Sequence, residues 1–123
     1  GTLIEVMEAA KTLSASIRES AEYTDFERAK AEAFENETSA ALLKEFGRLQ
    51  TQLQMYAVAG REMDPTDVQR FQQMSALLYA TPATSAYLMA QMRLQKLLAD
   101  IFGYLSNAAG MPIEMPSGMD LNP

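Results

Sequence analysis

From residue 3 to residue 105 the apolar residues of this chain recur at steps of three and four, and nowhere do they alternate convincingly at a step of two. A three-four spacing draws one apolar stripe along a helix, whereas a strand needs period two. The chain is therefore confined to all-α architectures, in which each stripe must find another helix to cover it.

The first stripe, Leu3, Val6, Ala10, Leu13 and Ile17, predicts a helix over residues 2–20, with Glu5 and Glu8 early and Arg18 late, as the helix dipole favours. After a short junction at Ser20, Ala21 and Glu22, the alanine-rich stretch 23–34 predicts a second helix with Tyr23, Phe26 and Phe34 on one side. The polar run 35–39 offers several capping side chains. A long third helix over 39–59 follows, carrying Leu42, Leu43, Phe46, Leu49, Leu53 and Tyr56, with Gly60 as its stop. Asp64-Pro65 and Thr81-Pro82 each place a capping side chain ahead of a proline at the first helical position, so two further helices are expected. One bears Val68, Phe71, Met74 and Leu78. The other bears Tyr87, Leu94, Leu97, Leu98, Ile101 and Leu105.

Beyond Leu105 the period dissolves, and residues 106–119 hold two prolines and two glycines, which predicts an extended tail over 106–123. Its methionines, Met111, Met115 and Met119, fit either a flexible end or a strap laid across a groove or a partner. The short connections before Asp64 and at Thr81 make neighbouring helices antiparallel. The expected architecture is a single domain over 2–105, a long-helix antiparallel bundle or hairpin of about five helices, with the tail appended.

With no Cys and no His among 123 residues, the chain cannot build a thiolate zinc site, an iron–sulfur cluster, a disulfide or a histidine-based nucleophilic dyad or triad. The six glycines are dispersed and form no phosphate-cradling loop. Carboxylate pairs such as Glu5/Glu8 and Glu32/Glu35 read as solvated helix faces, because a bundle metal site would need histidine beside inward-facing glutamate. No catalytic, cofactor-binding or metal-ligating residue is assigned, and the chain is expected not to be an enzyme. A net charge of −6 disfavours a nucleic-acid surface. The longest apolar runs fall far short of the ~20 residues that span a bilayer. Without a basic, apolar leader and without cysteine, the chain reads as cytoplasmic.

The apolar stripes exceed what a lone hairpin can cover. Phe46, Leu49, Leu53 and Tyr56, with Phe71 on the next helix, are therefore expected to form a surface against another subunit. The glutamine-rich side of the central helices, including Gln52, Gln69 and Gln91, reads as solvent-exposed or as a weakly charged docking face. A different reading gathers Phe26, Phe34, Phe46, Tyr56, Phe71, Tyr87, Met89 and Met92 around a small apolar ligand.

Four stretches in order carry a resemblance: Ser20-Ala21-Glu22-Tyr23; the run from Asn36-Glu37-Thr38-Ser39 through Phe46-Gly47-Arg48-Leu49-Gln50; Thr81-Pro82-Ala83-Thr84-Ser85-Ala86-Tyr87-Leu88; and Leu94-Gln95-Lys96-Leu97-Leu98-Ala99-Asp100-Ile101. Their order and spacing, over residues 3–105, resemble the YlbF/YmcA family of bacterial helical regulators. The resemblance implies an all-α protein that forms homodimers or hetero-oligomers with family-related subunits. It also implies a non-enzymatic regulator of competence, biofilm formation or sporulation, and an accessory factor of the endoribonuclease RNase Y in mRNA processing. Some complexes of the family hold iron–sulfur clusters on cysteines, a property this chain cannot share.

Overall fold

The computed structural model describes residues 1–113. Five helices follow in chain order: α1 (Leu3–Glu19), α2 (Ala21–Phe34), α3 (Glu37–Val58), α4 (Pro65–Ala80) and α5 (Pro82–Ala109). No strand occurs among the described residues, so the all-α class and the five expected helices are present.

Local chemistry sets the boundaries. Thr2 and Glu5 form a reciprocal capping box: the Glu5 N–H donates to the Thr2 hydroxyl, and the Thr2 N–H donates to the Glu5 carboxylate at 3.0 Å. The break between α1 and α2 is one residue wide. Ser20 is extended, with ψ of 152°, and its hydroxyl oxygen accepts the Tyr23 N–H. Asn36 caps α3 by accepting the Ser39 N–H, which starts that helix at Glu37 rather than at Ser39. Gly60, with φ of +68°, ends it, and the Arg61 N–H reaches back to the Tyr56 carbonyl at 2.8 Å. Asp64 accepts the Thr66 N–H to open α4, with Pro65 at its first turn.

Two boundaries differ from expectation. Thr81 precedes α5, but its hydroxyl donates backward to the Leu77 carbonyl and makes no cap bond to α5. Thr84 completes this corner from inside: fully buried, its hydroxyl donates to the carbonyls of Leu78 and Thr81. The other difference is at the far end, where α5 runs to Ala109, a turn beyond Leu105. Nothing in Ser106-Asn107-Ala108-Ala109 breaks a helix, and the stop comes at Gly110, with φ of +68°. The Ile113 N–H then bonds the Ser106 hydroxyl at 3.0 Å. The remainder of the tail expected over 106–123, residues 114–123 with Met115 and Met119, lies outside the described residues, so neither the flexible end nor the strap is tested.

α3 and α4 form an antiparallel hairpin, since residues 45 and 46 meet residues 70 and 71 while Tyr56, further along α3, sits beside Pro65 at the start of α4. α2 packs along α5, where Phe26 and Phe34 each hold their rings 5.6 Å from that of Tyr87. Phe26, Leu49 and Leu78 are the largest fully buried apolar side chains, and Leu43, Leu88 and Leu94 surround them. α1 touches α2 but buries no side chain of its own.

Candidate protein interface

The five residues expected to meet another subunit have different fates in the chain itself. Phe46 and Leu49 lie in the core of the single chain, with Leu49 wholly inaccessible. The Phe46 ring stacks on that of Phe71, with centroids 4.7 Å apart and planes 7° from parallel. These three residues close the α3–α4 hairpin on itself. Leu53 is exposed, and Tyr56 is half-buried beneath the guanidinium of Arg61, which sits 5.4 Å from the ring centre.

Beside the aromatic stack runs a polar clasp. Glu45 accepts two bonds from Arg48, at 2.6 and 3.0 Å, and lies 3.2 Å from Arg70 on α4. The bonds from Arg48 hold the Glu45 carboxyl below the usual carboxylate range and raise the Arg48 guanidinium in turn. This is a structural ion pair at the surface, with the charge of Asp67 on α4 adding to the hold on Arg48. Among the described residues no cluster of acids could hold a metal ion.

The aromatic and methionine residues do not gather around one cavity. Phe26, Phe34 and Tyr87 pack together between α2 and α5, Phe46 and Phe71 between α3 and α4, while Met89 and Met92 project from α5. A shallow cleft of about 500 Å³ opens where α3 turns into α4, lined by Leu53, Tyr56, Arg61, Met63, Val68 and Gln72.

Uncovered apolar surface lies elsewhere. Leu3, Ile4, Val6 and Met7 on α1 each keep half or more of their surface in contact with solvent, and no residue of that helix is buried. On α5 no residue after Leu94 is buried, Leu97, Leu98, Ile101 and Phe102 are half-buried, and Tyr104 and Leu105 are exposed. Scattered surface apolar residues are ordinary, but a continuous stripe down a whole helix marks a contact surface. The signal was present in the sequence as a full apolar period on helix 1. What periodicity does not state is whether the same chain covers it.

The described residues define an all-α protein with a packed core and uncovered apolar faces on α1 and α5. The chain matches the family described as "Control of competence regulator ComK, YlbF/YmcA" over residues 6–108, and it belongs to that family. A UPF0342 protein of Caldicellulosiruptor saccharolyticus is 29% identical over 110 residues, spanning 89% of this chain and 92% of that protein. A UPF0342 protein of Caldicellulosiruptor bescii is 30% identical over 96 residues, 78% of this chain and 81% of that one. A solved structure, described as a protein of unknown function (DUF964) from Bacillus stearothermophilus, shares the fold. Its TM-score is 0.73 at 16% identity, covering 86% of this chain and 93% of that chain. The family is regulatory and is not a known enzyme family. Among the described residues no helix is long and apolar enough to cross a membrane.

Proposed function

We propose that this chain is a non-enzymatic regulatory subunit that acts by binding other proteins, either a copy of itself or family-related subunits. One observation carries the reading: an entire helix, α1, holds a continuous apolar stripe and buries no side chain within its own chain. Such a helix is far better suited to a partner than to water. Family membership supports the regulatory half of the proposal and its connection with competence. The finer assignment is to RNase Y-dependent mRNA processing and to control of competence, biofilm formation or sporulation, and it follows the family resemblance. RNA would be reached through the protein partner, since the surface is acidic.

The test is genetic. Deletion in the native host should lower competence or alter transcript ends generated by RNase Y, and the intact chain should restore both. A Leu13→Asp variant, altered on the α1 stripe, should fold and fail to restore them. Full restoration by that variant, or no phenotype in the deletion strain, would contradict the proposal.

A second reading attaches to the cleft at Leu53, Tyr56 and Met63, whose size suits a small apolar ligand. A ligand that binds only the folded chain raises its melting temperature. A panel of small apolar compounds that leaves the melting temperature unmoved would sink this reading.

A further inference from the structure

With no cysteine in the chain, two-electron oxidants act on its methionines. Met63 and Met74 are buried in the core, whereas Met7, Met55, Met89, Met92 and Met111 stand open to solvent. What marks Met92 is the group against its sulfur. The Tyr79 hydroxyl, on the last turn of α4, donates to the Met92 Sδ, on the third turn of α5, across 3.8 Å. We propose that Met92 is an oxidation site, at which a peroxide forms the sulfoxide and Tyr79 then holds the added oxygen, so that oxidation fastens α4 to α5.

The step is an oxygen transfer. A lone pair of the Met92 sulfur attacks one oxygen of hydrogen peroxide, the O–O bond breaks as the S–O bond forms, and the proton of the transferred oxygen passes to the departing hydroxide. Sulfur loses two electrons, the peroxide gains them, and water leaves. A methionine sulfoxide reductase reverses the change.

A thioether sulfur is a weak acceptor, so the Tyr79–Met92 contact contributes little while the sulfur is reduced. The sulfoxide is polar, and its oxygen is the better acceptor. An O–H···O bond needs about 2.7 Å between its oxygens, and the 3.8 Å between the Tyr79 Oη and the Met92 Sδ leaves the added oxygen room to sit at that distance, off the straight line. Methionine has three rotatable bonds, which let either sulfoxide epimer turn its oxygen to the hydroxyl. The new bond braces a corner that is short of others, since Pro82 has no N–H to offer the Leu78 carbonyl and Thr81 makes no side-chain cap for α5. Oxidised methionine ordinarily loosens packing by putting a polar atom into an apolar contact. At Met92 the polar atom meets a donor, and the sign reverses.

The test compares melting temperatures before and after hydrogen peroxide for the intact chain and for Tyr79→Phe, with conversion at each methionine mapped by mass spectrometry. Oxidation of the other methionines is common to both chains, so the difference between the two responses isolates the hydroxyl. At matched conversion of Met92, the intact chain should fare better than Tyr79→Phe by a few degrees. Adding Met92→Leu to both chains should abolish that difference. Should peroxide reach Met63 and Met74 and unfold the chains, Met92→Gln replaces the oxidation, setting an amide oxygen near the sulfoxide position. Tyr79→Phe should then lower the melting temperature more in the Met92→Gln chain than in the intact one. Four outcomes overturn the proposal: Met92 left unoxidised while the other exposed methionines convert, equal responses with and without the Tyr79 hydroxyl, a worse response with it, or a difference that persists with Met92→Leu.

Discussion

The rings of Phe46 and Phe71 lie 4.7 Å apart and nearly parallel, and through them α3 and α4 share one core. Phe46 is buried, so truncating it leaves a cavity lined by Phe71 and its neighbours. Phe46→Ala is expected to cost about 3–5 kcal/mol, the range for deleting a buried aromatic ring. Denaturant unfolding checks this. A loss below 1 kcal/mol would mean that the stack contributes little to the hairpin.

Thr84 is a buried hydroxyl with defined acceptors, the carbonyls of Leu78 and Thr81. Thr84→Val keeps the shape and removes the donor to the Leu78 carbonyl, which Pro82, having no N–H, does not serve, while the Thr81 carbonyl keeps its bond from the Ser85 N–H. The expected cost is about 1–3 kcal/mol, the penalty for a buried polar group without its partner. Thr81→Val, which removes an exposed bond, should cost distinctly less. Thermal melts of the two variants side by side give the ranking, and a reversed order would contradict this assignment.

Glu45 supplies a pH dependence whose sign is fixed. Its folded-state carboxyl is held below the usual range, chiefly by the bonds from Arg48. A depressed carboxylate stabilises the fold at pH values above its unfolded-state pKa, and that contribution disappears as pH falls through the lowered value. Wild type should therefore exceed Glu45→Gln in melting temperature near neutrality, with the gap closing under acid conditions and narrowing in high salt. A gap that widens on acidification would reverse the assignment.

Gly103 stands in the interior of α5 with open space where a Cβ would project. Glycine in a helix interior costs about 1 kcal/mol relative to alanine, so Gly103→Ala should raise stability by roughly that amount. Gly103 sits on the side of α5 away from Ile101 and Leu105, outside the apolar stripe. A fall in melting temperature would reveal another backbone passing close to that side.

Much of the fold was legible because its punctuation is local. Asp64-Pro65, Thr81-Pro82 and Gly60 act within one turn of their own positions, and each marks a real boundary. The extra turn of α5 is masked in the sequence because Ser106 to Ala109 carry no large apolar residue to continue the stripe, and the stop at Gly110 follows at once. The interface residues were harder for a different reason. Leu49 and Leu13 occupy equivalent positions on equally regular stripes, yet Leu49 is wholly buried and Leu13 is 38% exposed. A stripe states that a helix face needs cover. Which chain supplies the cover depends on contacts between residues far apart in sequence, and local period carries no record of them.

The most direct measurement is sedimentation equilibrium of the intact chain and of Leu13→Asp at tens of micromolar. Leu13 contributes nothing to the buried core, so the variant should keep its cooperative unfolding. The expected result is twice 13.6 kDa for the intact chain and 13.6 kDa for the variant. A monomeric intact chain, or a variant that remains fully dimeric, would contradict the reading in which the partner that α1 meets is a copy of the chain itself.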